Sequence, residues 1–177
     1  KAKVRGMACE ETESTVWALV FNQTHTAFCN QQVRQGFIRA IDRSVLEEYF
    51  QKSKQENLRV YDRLIPPTIS LFTQSYTEQT SVTTKNTYDP QAAYQSYRAG
   101  MDELEADTLR KIQLLVPSDS SIPEMCGLLQ QAWQSTLAVS VNIEEISRDE
   151  LSSRLSIGDY QVALVPLKAS ANTPTDI

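Results

Sequence analysis

The first clear pattern in the chain is a nearly continuous apolar run at residues 15–21, Thr-Val-Trp-Ala-Leu-Val-Phe. Its β-branched and aromatic residues predict a strand that is covered on both faces, as in α/β sheets. A polar turn follows from Asn22 to Asn30. The apolar positions then recur with a period of about 3.6 residues. This period predicts a helix whose buried face carries Val33, Phe37, Ala40 and Ile41.

Capping signals predict two further helices. Ser44 and Glu47 have the spacing of a capping box at the start of a second helix. Its apolar face is predicted to carry Val45, Leu46, Tyr49 and Phe50. Asp89-Pro90 predicts another helix start, with Asp as N-cap and Pro at the first helical position. The buried face of that helix is predicted to carry Ala93, Tyr97, Met101 and Leu104.

Two breaks interrupt this middle region. Pro66-Pro67 marks a break in the pattern, and the stretch from Thr73 to Tyr88 is rich in Thr, Ser, Gln and Asn without any period, which predicts an exposed loop. Gly100 leaves an alternative open, because a glycine at this position could end the helix that starts at Pro90 early.

The last third of the chain alternates between strand and helix patterns. Strands are predicted at Lys111–Val116, at Val139, Val141 and Ile143, and at Tyr160–Val165 after a Gly158-Asp159 turn. Capping boxes at Ser121/Glu124 and Ser147/Glu150 predict the helices between them. The first of these helices is predicted to bury Met125, Leu128, Leu129, Ala132, Trp133 and Leu137, and the second Leu151 and Leu155. This order predicts right-handed crossovers and a largely parallel sheet, so the fold class is α/β.

Length, charge and composition exclude several classes of function. The chain has 177 residues, which fits one domain, and a formal net charge of −5. No basic run is longer than a dipeptide, so we expect no nucleic-acid partner. All five glycines are isolated, and the acidic clusters lack EF-hand spacing, so we also expect no phosphate loop, no metal and no cofactor. The chain starts at Lys1 and reads as a piece excised from a longer protein.

Candidate chemistry is limited to His25 and the cysteines. His25 is the single histidine, and Cys29 follows four residues later, so a Cys–His hydrolase pair is one hypothesis. A surface or turn histidine is the simpler interpretation, because spacing within a turn does not fix geometry. A Cys9–Cys29 disulfide is an alternative to free thiols. Asn22-Gln23-Thr24 matches a glycosylation acceptor, a tripeptide that also arises by chance.

One stretch, from Phe21 to Arg43, is more specific than its periodicity. It resembles the signature of family 5 of the extracellular solute-binding proteins, the oligopeptide- and dipeptide-binding proteins of ABC importers. Ala27 stands where that signature has proline, and Gly36 where it has alanine. The segments that match in order and spacing are Phe21-Asn22, Phe28, Val33-Arg34-Gln35 and Ala40-Ile41-Asp42-Arg43.

Weaker similarities to the same family continue in the right order along the chain. They are Leu64-Ile65-Pro66-Pro67, Tyr88-Asp89-Pro90, Leu129 to Trp133, Val139 to Ile143, and Gly158-Asp159-Tyr160. The resemblance implies a lobe of a type II periplasmic-binding-protein fold, with a mixed, mostly parallel sheet flanked by helices. Residues 1–177 are then a single lobe, part of the second lobe of a two-lobed clamshell that closes on its ligand.

The resemblance also implies a site at the end of the last strand. Peptide-binding relatives carry a Trp and, three residues later, an Asp that pairs with the peptide's α-amine. The matching positions here are Leu167 and Ser170, and Leu164 and Lys168 complete the candidate ligand-binding set. A serine cannot neutralise a buried ammonium. Either the ligand has no free amine there, or another acid supplies the charge, or the protein is not a conventional peptide binder.

The implied function is the substrate-binding component of an ABC importer, not an enzyme. It would capture peptides or similar small solutes and deliver them to a membrane permease. We expect a monomer located outside the cytoplasm, in the periplasm or at the cell surface as a lipoprotein. The alternative is a ligand-sensing lobe of a cytoplasmic transcriptional regulator, and an N-terminal helix-turn-helix in the full-length gene would favour it.

Overall fold

The computed structural model describes residues 15–53, 58, 60–61, 70–71, 74–75, 87–105, 109, 111–118 and 122–168. In chain order the elements are β1 (Thr15–Phe21), α1 (Gln31–Arg39), α2 (Arg43–Lys52), β2 (Ser70–Leu71), β3 (Gln74–Ser75), α3 (Pro90–Glu103), β4 (Lys111–Pro117), α4 (Pro123–Leu137), β5 (Ser140–Ile146), α5 (Arg148–Ile157) and β6 (Val162–Lys168).

The main sheet has the strand order β1-β6-β4-β5. β5 and β6 both run parallel to β4, whereas β1 runs antiparallel to β6. The predicted α/β class with a mixed, mostly parallel sheet is therefore confirmed. The strand predicted at residues 15–21 is confirmed, but the expectation that it is covered on both faces is wrong. In the described part of the chain β1 lies at the edge of the sheet, and its residues after Thr15 are half-buried.

Helices cover both faces of the sheet. In the larger core, residues of α1 to α4 pack against one face of the sheet. On that face, β4 contributes Ile112, Leu114 and Val116. The smaller core lies on the other face, where Leu151 of α5 packs with Leu115 of β4. The crossover from β4 to β5 and the crossover from β5 to β6 run in opposite directions across the sheet. Crossovers of the same hand then place α4 and α5 on opposite faces.

Aromatic side chains join three helices at the centre of the larger core. The ring of Phe37 lies edge-on to Tyr97 of α3 and Trp133 of α4, with centroid distances of 6.0 and 5.2 Å. The buried Trp133 Nε1–H donates to the Phe37 carbonyl at 2.9 Å. Val33, Phe37 and Ala40 are all at most 1% exposed, which confirms these three positions of the predicted buried face. Ile41, the fourth, lies after the C-cap residue of α1 and is half-buried.

Two glycines allow α1 and α3 to approach closely. A Cβ on Gly36 of α1 would lie 2.8 Å from Tyr97 Cβ and 2.9 Å from the Ala93 carbonyl oxygen. A Cβ on Gly100 of α3 would lie 2.7 Å from the Val33 backbone nitrogen. Gly100 is thus a packing residue within α3, and it does not end that helix.

The helix starts agree with the capping predictions in two of four cases. Asp89 accepts from Ala92 N, and Ser147 accepts from Glu150 N, as predicted. The second helix is capped by Asp42, which accepts from the Ser44 backbone N–H and hydroxyl, so Ser44 as N-cap is wrong.

The capping box predicted at Ser121 and Glu124 is also wrong. α4 begins at Pro123, and Ile122 at the N-cap position makes no side-chain capping hydrogen bond. Ser121 lies outside the described residues. The fixed φ of proline suits the first helical position, and its missing N–H would have had no partner within the helix there. These two properties explain why α4 begins at Pro123.

Several smaller differences concern exposure and boundaries. Val45 is 44% exposed, so it is wrongly placed on the buried face of α2. Gln74–Ser75 pairs with Ser70–Leu71, which corrects the loop prediction at that point. Gly158 is in the left-handed region at φ 75°, confirming the predicted turn, and β6 begins two residues later than predicted, at Val162. The Pro66-Pro67 break lies outside the described residues.

Candidate functional site

The carboxyl ends of β4, β5 and β6 lie along one edge of the sheet, because these three strands are parallel. They end at Pro117, Ile146 and Lys168. The chain leaves β4 toward β5 on one side, and β6 lies on the other side of β4. The gap between β4 and β6 is therefore the point where the strand order reverses. In open α/β sheets, ligands bind in the crevice at such a point.

The candidate ligand-binding residues lie on β6 and beyond it. Leu164 is 4% exposed and packs in the larger core, so almost none of its surface is available to a ligand. Leu167 is half-buried one residue before the end of β6, and Lys168 is the last residue of that strand. Ser170 lies outside the described residues. The structure thus brings Leu167 and the Lys168 backbone to the carboxyl edge and leaves Leu164 inside.

β1 begins at this same edge. Thr15 is the register partner of Lys168 in the antiparallel β1–β6 pair, and Phe21 is the partner of Val162 at the far end. Opposed residues of an antiparallel pair have Cα atoms about 4.5–5.5 Å apart. The chain thus enters β1 and leaves β6 at neighbouring points, next to the strand-order reversal.

At the opposite edge of the sheet, hydrogen bonds of Asn22 connect β1 to β6. Asn22 is the buried polar residue of the signature segment. Its side-chain Nδ2 donates to the carbonyls of Gly158 and Tyr160 at 2.9 and 2.8 Å, and its Oδ1 accepts from Thr24. The signature Phe21-Asn22 thus ties the turn after β1 to the turn before β6. Because this amide is 6% exposed and both of its atoms are bonded, the glycosylation tripeptide is inaccessible in the folded lobe.

His25 and Cys29 do not form a nucleophile–base pair. The two ring nitrogens of His25 face Ala27 N and Gln161 Nε2. The thiol of Cys29 donates instead to the Thr26 carbonyl at 3.0 Å. Cys29 is exposed and free, and Cys9, the other half of the disulfide alternative, lies outside the described residues.

Cys126, in contrast, is fully buried in the larger core. Burial in an apolar environment, with a smaller contribution from the charge of Glu145, raises the pKa of its thiol to about 12. A thiol that stays protonated is a poor nucleophile. Cys126 is therefore a packing residue.

A surface cavity of about 270 Å³ lies away from the carboxyl edge, and no sequence pattern pointed to it. It lies between the junction of α1 with α2 and the second half of α4, which runs away from that edge. Ile41, Leu128 and Ala132 contribute apolar walls, and Asp42 is its charged group. Its place in the helical layer separates it from the crevice between β4 and β6.

The lobe thus combines a strand-order reversal with entry and exit strands that lie side by side. The family model described as bacterial extracellular solute-binding proteins, family 5 Middle, matches residues 3–176. The chain belongs to this family. The description of this family names solute binding, which is not an enzymatic role. None of the curated proteins matches the chain.

Solved structures share the fold at low sequence identity. OppA from Listeria monocytogenes, bound to peptide, has a TM-score of 0.79 and 17% identity over 93% of this chain and 33% of its own. DppA from Helicobacter pylori, in complex with the peptide STSA, has a TM-score of 0.69 and 17% identity over 92% of this chain and 28% of its own. NikA from Brucella suis, in complex with Fe(III)-EDTA, has a TM-score of 0.68 and 14% identity over 92% and 32%.

The chain thus spans about a third of the length of these three proteins. Two of these structures contain a peptide and one contains a metal chelate, so this fold is found with more than one class of ligand. Within the described residues, no helix is both long enough and apolar enough to cross a membrane.

Proposed function

We propose that this chain is one lobe of a two-lobed substrate-binding component of an ABC importer, and that peptides or similar small solutes bind in the cleft between the lobes. The observation that carries the proposal is the pairing of Thr15 with Lys168 at the carboxyl edge. The described chain therefore enters β1 and leaves β6 at neighbouring points beside the β4–β6 crevice. A second lobe joined there would face the crevice directly.

Closure of such a cleft follows from differential binding. A ligand favours the closed form only through contacts that the open form lacks, so residues at the rim of the crevice decide the affinity. In this proposal Leu167, Lys168 and Ser170 contact the solute. β6 brings Leu167 and the Lys168 backbone to the carboxyl edge, and Ser170 follows that strand in the sequence. Leu164 supports them from the core, where it holds β6 against the helices.

Whether the ligand carries a free amino group decides which class of solute this proposal implies. An aspartate at position 170 would neutralise a peptide's α-amine, and a serine leaves that charge without a partner. We therefore propose that the natural solute presents no free ammonium at position 170. This favours amine-blocked peptides or other small solutes, and Lys168 supplies a positive charge suited to an anionic ligand group.

The remaining parts of the proposal concern location and partners. The family's description as extracellular solute-binding proteins supports a place outside the cytoplasm, in the periplasm or at the cell surface as a lipoprotein. A membrane permease that accepts solute from the closed clamshell is the proposed protein partner. The binding protein would work as a monomer, with no nucleic acid involved.

The test has two stages. Native mass spectrometry of the full-length protein identifies any solute that co-purifies, and calorimetry then compares one peptide with a free and an acetylated amino terminus. We expect the unmodified protein to bind the acetylated form at least as tightly. Ser170→Asp should shift the preference toward the free amine by about tenfold, the scale of one charge-assisted hydrogen bond.

Ser152→Asp is the matched control, because Ser152 is an exposed residue of α5 and the substitution adds the same charge away from β6. It should leave the preference unchanged. A free-amine peptide bound tightly by the unmodified protein, with no effect of Ser170→Asp, would show that position 170 does not face the ligand's amine. Absence of any bound small solute would contradict the transport function itself.

A further inference from the structure

The surface cavity in the helical layer lies where three helix ends meet. Ala40 is the C-cap of α1, and Asp42, two residues later, is the N-cap of α2. The backbone N–H of Asp89, the N-cap of α3, donates to the Arg39 carbonyl at 3.1 Å, which holds the adjacent Tyr88 beside this junction. Hydrogen bonds thus hold all three ends in place, so the cavity is formed in advance of any ligand, as is usual for small-molecule sites.

Two apolar side chains that line this cavity are open to solvent. Val45 is 44% exposed and Tyr88 is 47% exposed. Single exposed apolar residues are ordinary on a protein surface, but these two lie at the same cavity. The half-buried Ile41, Leu128 and Ala132 extend the same apolar lining. An apolar group placed there would remove this lining from water, with a gain of about 25 cal/mol for each Å² that becomes buried.

The charge of the cavity comes from the Asp42 carboxylate. The residues that line it, all of which the structure describes, include no lysine and no arginine. Arg39 and Arg43 flank the segment 40–42 in the sequence, but neither lines the cavity. A carboxylate beside apolar walls favours a cationic ligand, since the attraction between opposite charges is stronger where water is excluded.

This carboxylate retains the capacity to bind a further donor. Its Oδ1 accepts from the Ser44 backbone N–H at 2.9 Å and from the Ser44 hydroxyl at 2.6 Å. A carboxylate offers about four acceptor positions, and the two bonds that cap α2 use only part of them. Asp42 can therefore cap its helix and accept from a bound ammonium at the same time.

The volume of the cavity limits the ligand to a small one. A cavity of about 150 Å³ can hold benzene, so about 270 Å³ has room for one ring and a short aminoalkyl chain. We propose that this cavity is a second binding site on the lobe and that it takes a small apolar amine. The ammonium binds the Asp42 carboxylate, and the apolar part packs against Ile41, Leu128 and Ala132. This site does not depend on what binds in the crevice between β4 and β6.

The experiment titrates the full-length protein with phenethylamine and with its neutral counterpart, phenethyl alcohol, and follows binding by NMR. The two probes share a ring and a two-carbon chain and differ in charge. The amine should bind about tenfold more tightly than the alcohol, the scale of one charge-assisted hydrogen bond. Absence of saturable amine binding in the millimolar range would overturn the proposal.

Asp42→Asn tests the charge without removing the helix cap, because asparagine and aspartate are about equally good N-caps. This variant should lose the preference for the amine and keep its affinity for the alcohol. Asp149→Asn is the matched control, because Asp149 is exposed in the first turn of α5, on the other face of the sheet, and its replacement changes the net charge equally. A preference that survives in Asp42→Asn, or that is lost equally in Asp149→Asn, would contradict a site at Asp42.

Ala132→Leu distinguishes the cavity from the crevice between β4 and β6. The larger side chain fills the apolar part of the cavity, so both probes should lose their binding, whereas a probe held in the crevice would be unaffected. Undiminished amine binding in Ala132→Leu would therefore refute the proposal. If Ala132→Leu does not fold, Val45→Lys replaces it, because this exposed position tolerates a charge and the new ammonium competes for Asp42. Unchanged amine affinity in Val45→Lys would be equally decisive against the site.

Discussion

Replacing Gly36 by alanine tests how tightly α1 and α3 are packed. The added Cβ would lie 2.8 Å from Tyr97 Cβ, 2.9 Å from the Ala93 carbonyl oxygen and 3.0 Å from Tyr97 N. Carbon atoms in ordinary contact are about 3.5–4.0 Å apart, so the helices must separate by roughly 0.7 Å. The obstructing atoms belong to the backbone and to a Cβ, and no side-chain rotation can move them away.

Two opposing terms set the magnitude of this effect. Alanine gains about 1 kcal/mol over glycine in helix propensity, whereas overpacking a core costs about 1–3 kcal/mol. Because the contacts fall on an interface where Gly100 and Val33 are equally close, we expect the cost to be at its upper end. Gly36→Ala should therefore lower the free energy of unfolding by about 1–2 kcal/mol.

Gly127→Ala is the matched control, because a Cβ at Gly127 would meet nothing within 4 Å. It should raise the free energy of unfolding by about 0.5–1 kcal/mol. Urea unfolding followed by tryptophan fluorescence measures both variants, since Trp133 is fully buried in the same core. A Gly36→Ala protein as stable as Gly127→Ala would show that α3 shifts without cost, and the close-packing argument would then fail.

Two further predictions concern buried polar groups and thiols. Asn22→Ala removes the donors to the Gly158 and Tyr160 carbonyls, and it should cost about 2–4 kcal/mol of unfolding free energy in urea titrations; a loss below about 0.5 kcal/mol would mean that water replaces the amide. Burial holds the pKa of Cys126 at about 12, so its thiol should resist alkylation near neutral pH until the protein unfolds, while exposed Cys29 reacts in the native state. Peptide mapping after a short iodoacetamide pulse reads the two sites separately, and native labelling of Cys126 would contradict its burial.

Local signals in the sequence predicted local structure well. The periodic stripe of α1 and the Asp89-Pro90 helix start depend on residues within a few positions of one another, and both are confirmed. Asp42 and Ser44 are both good N-caps, so the choice between them depended on backbone geometry that the sequence does not display. Val45 is exposed because α2 packs through Leu46 and Phe50, a narrower face than the apolar residues suggested.

Features that depend on distant pairing were harder to predict. The apolar composition of β1 suits a covered strand, but its place at the sheet edge follows from antiparallel pairing with β6, more than 140 positions later in the chain. The role of Asn22 was missed for the same reason, since its partners lie 136 and 138 positions away. For the candidate site, the family signature indicated the end of β6, but only the strand order showed that this end adjoins the reversal between β4 and β6.

The juxtaposition of Thr15 and Lys168 also makes the lobe a portable module. A domain whose first and last residues lie about 5 Å apart can be inserted into a surface loop of another protein without distorting either one. The geometry that places the start of β1 beside the end of β6 thus also makes the lobe a candidate for insertion into another protein.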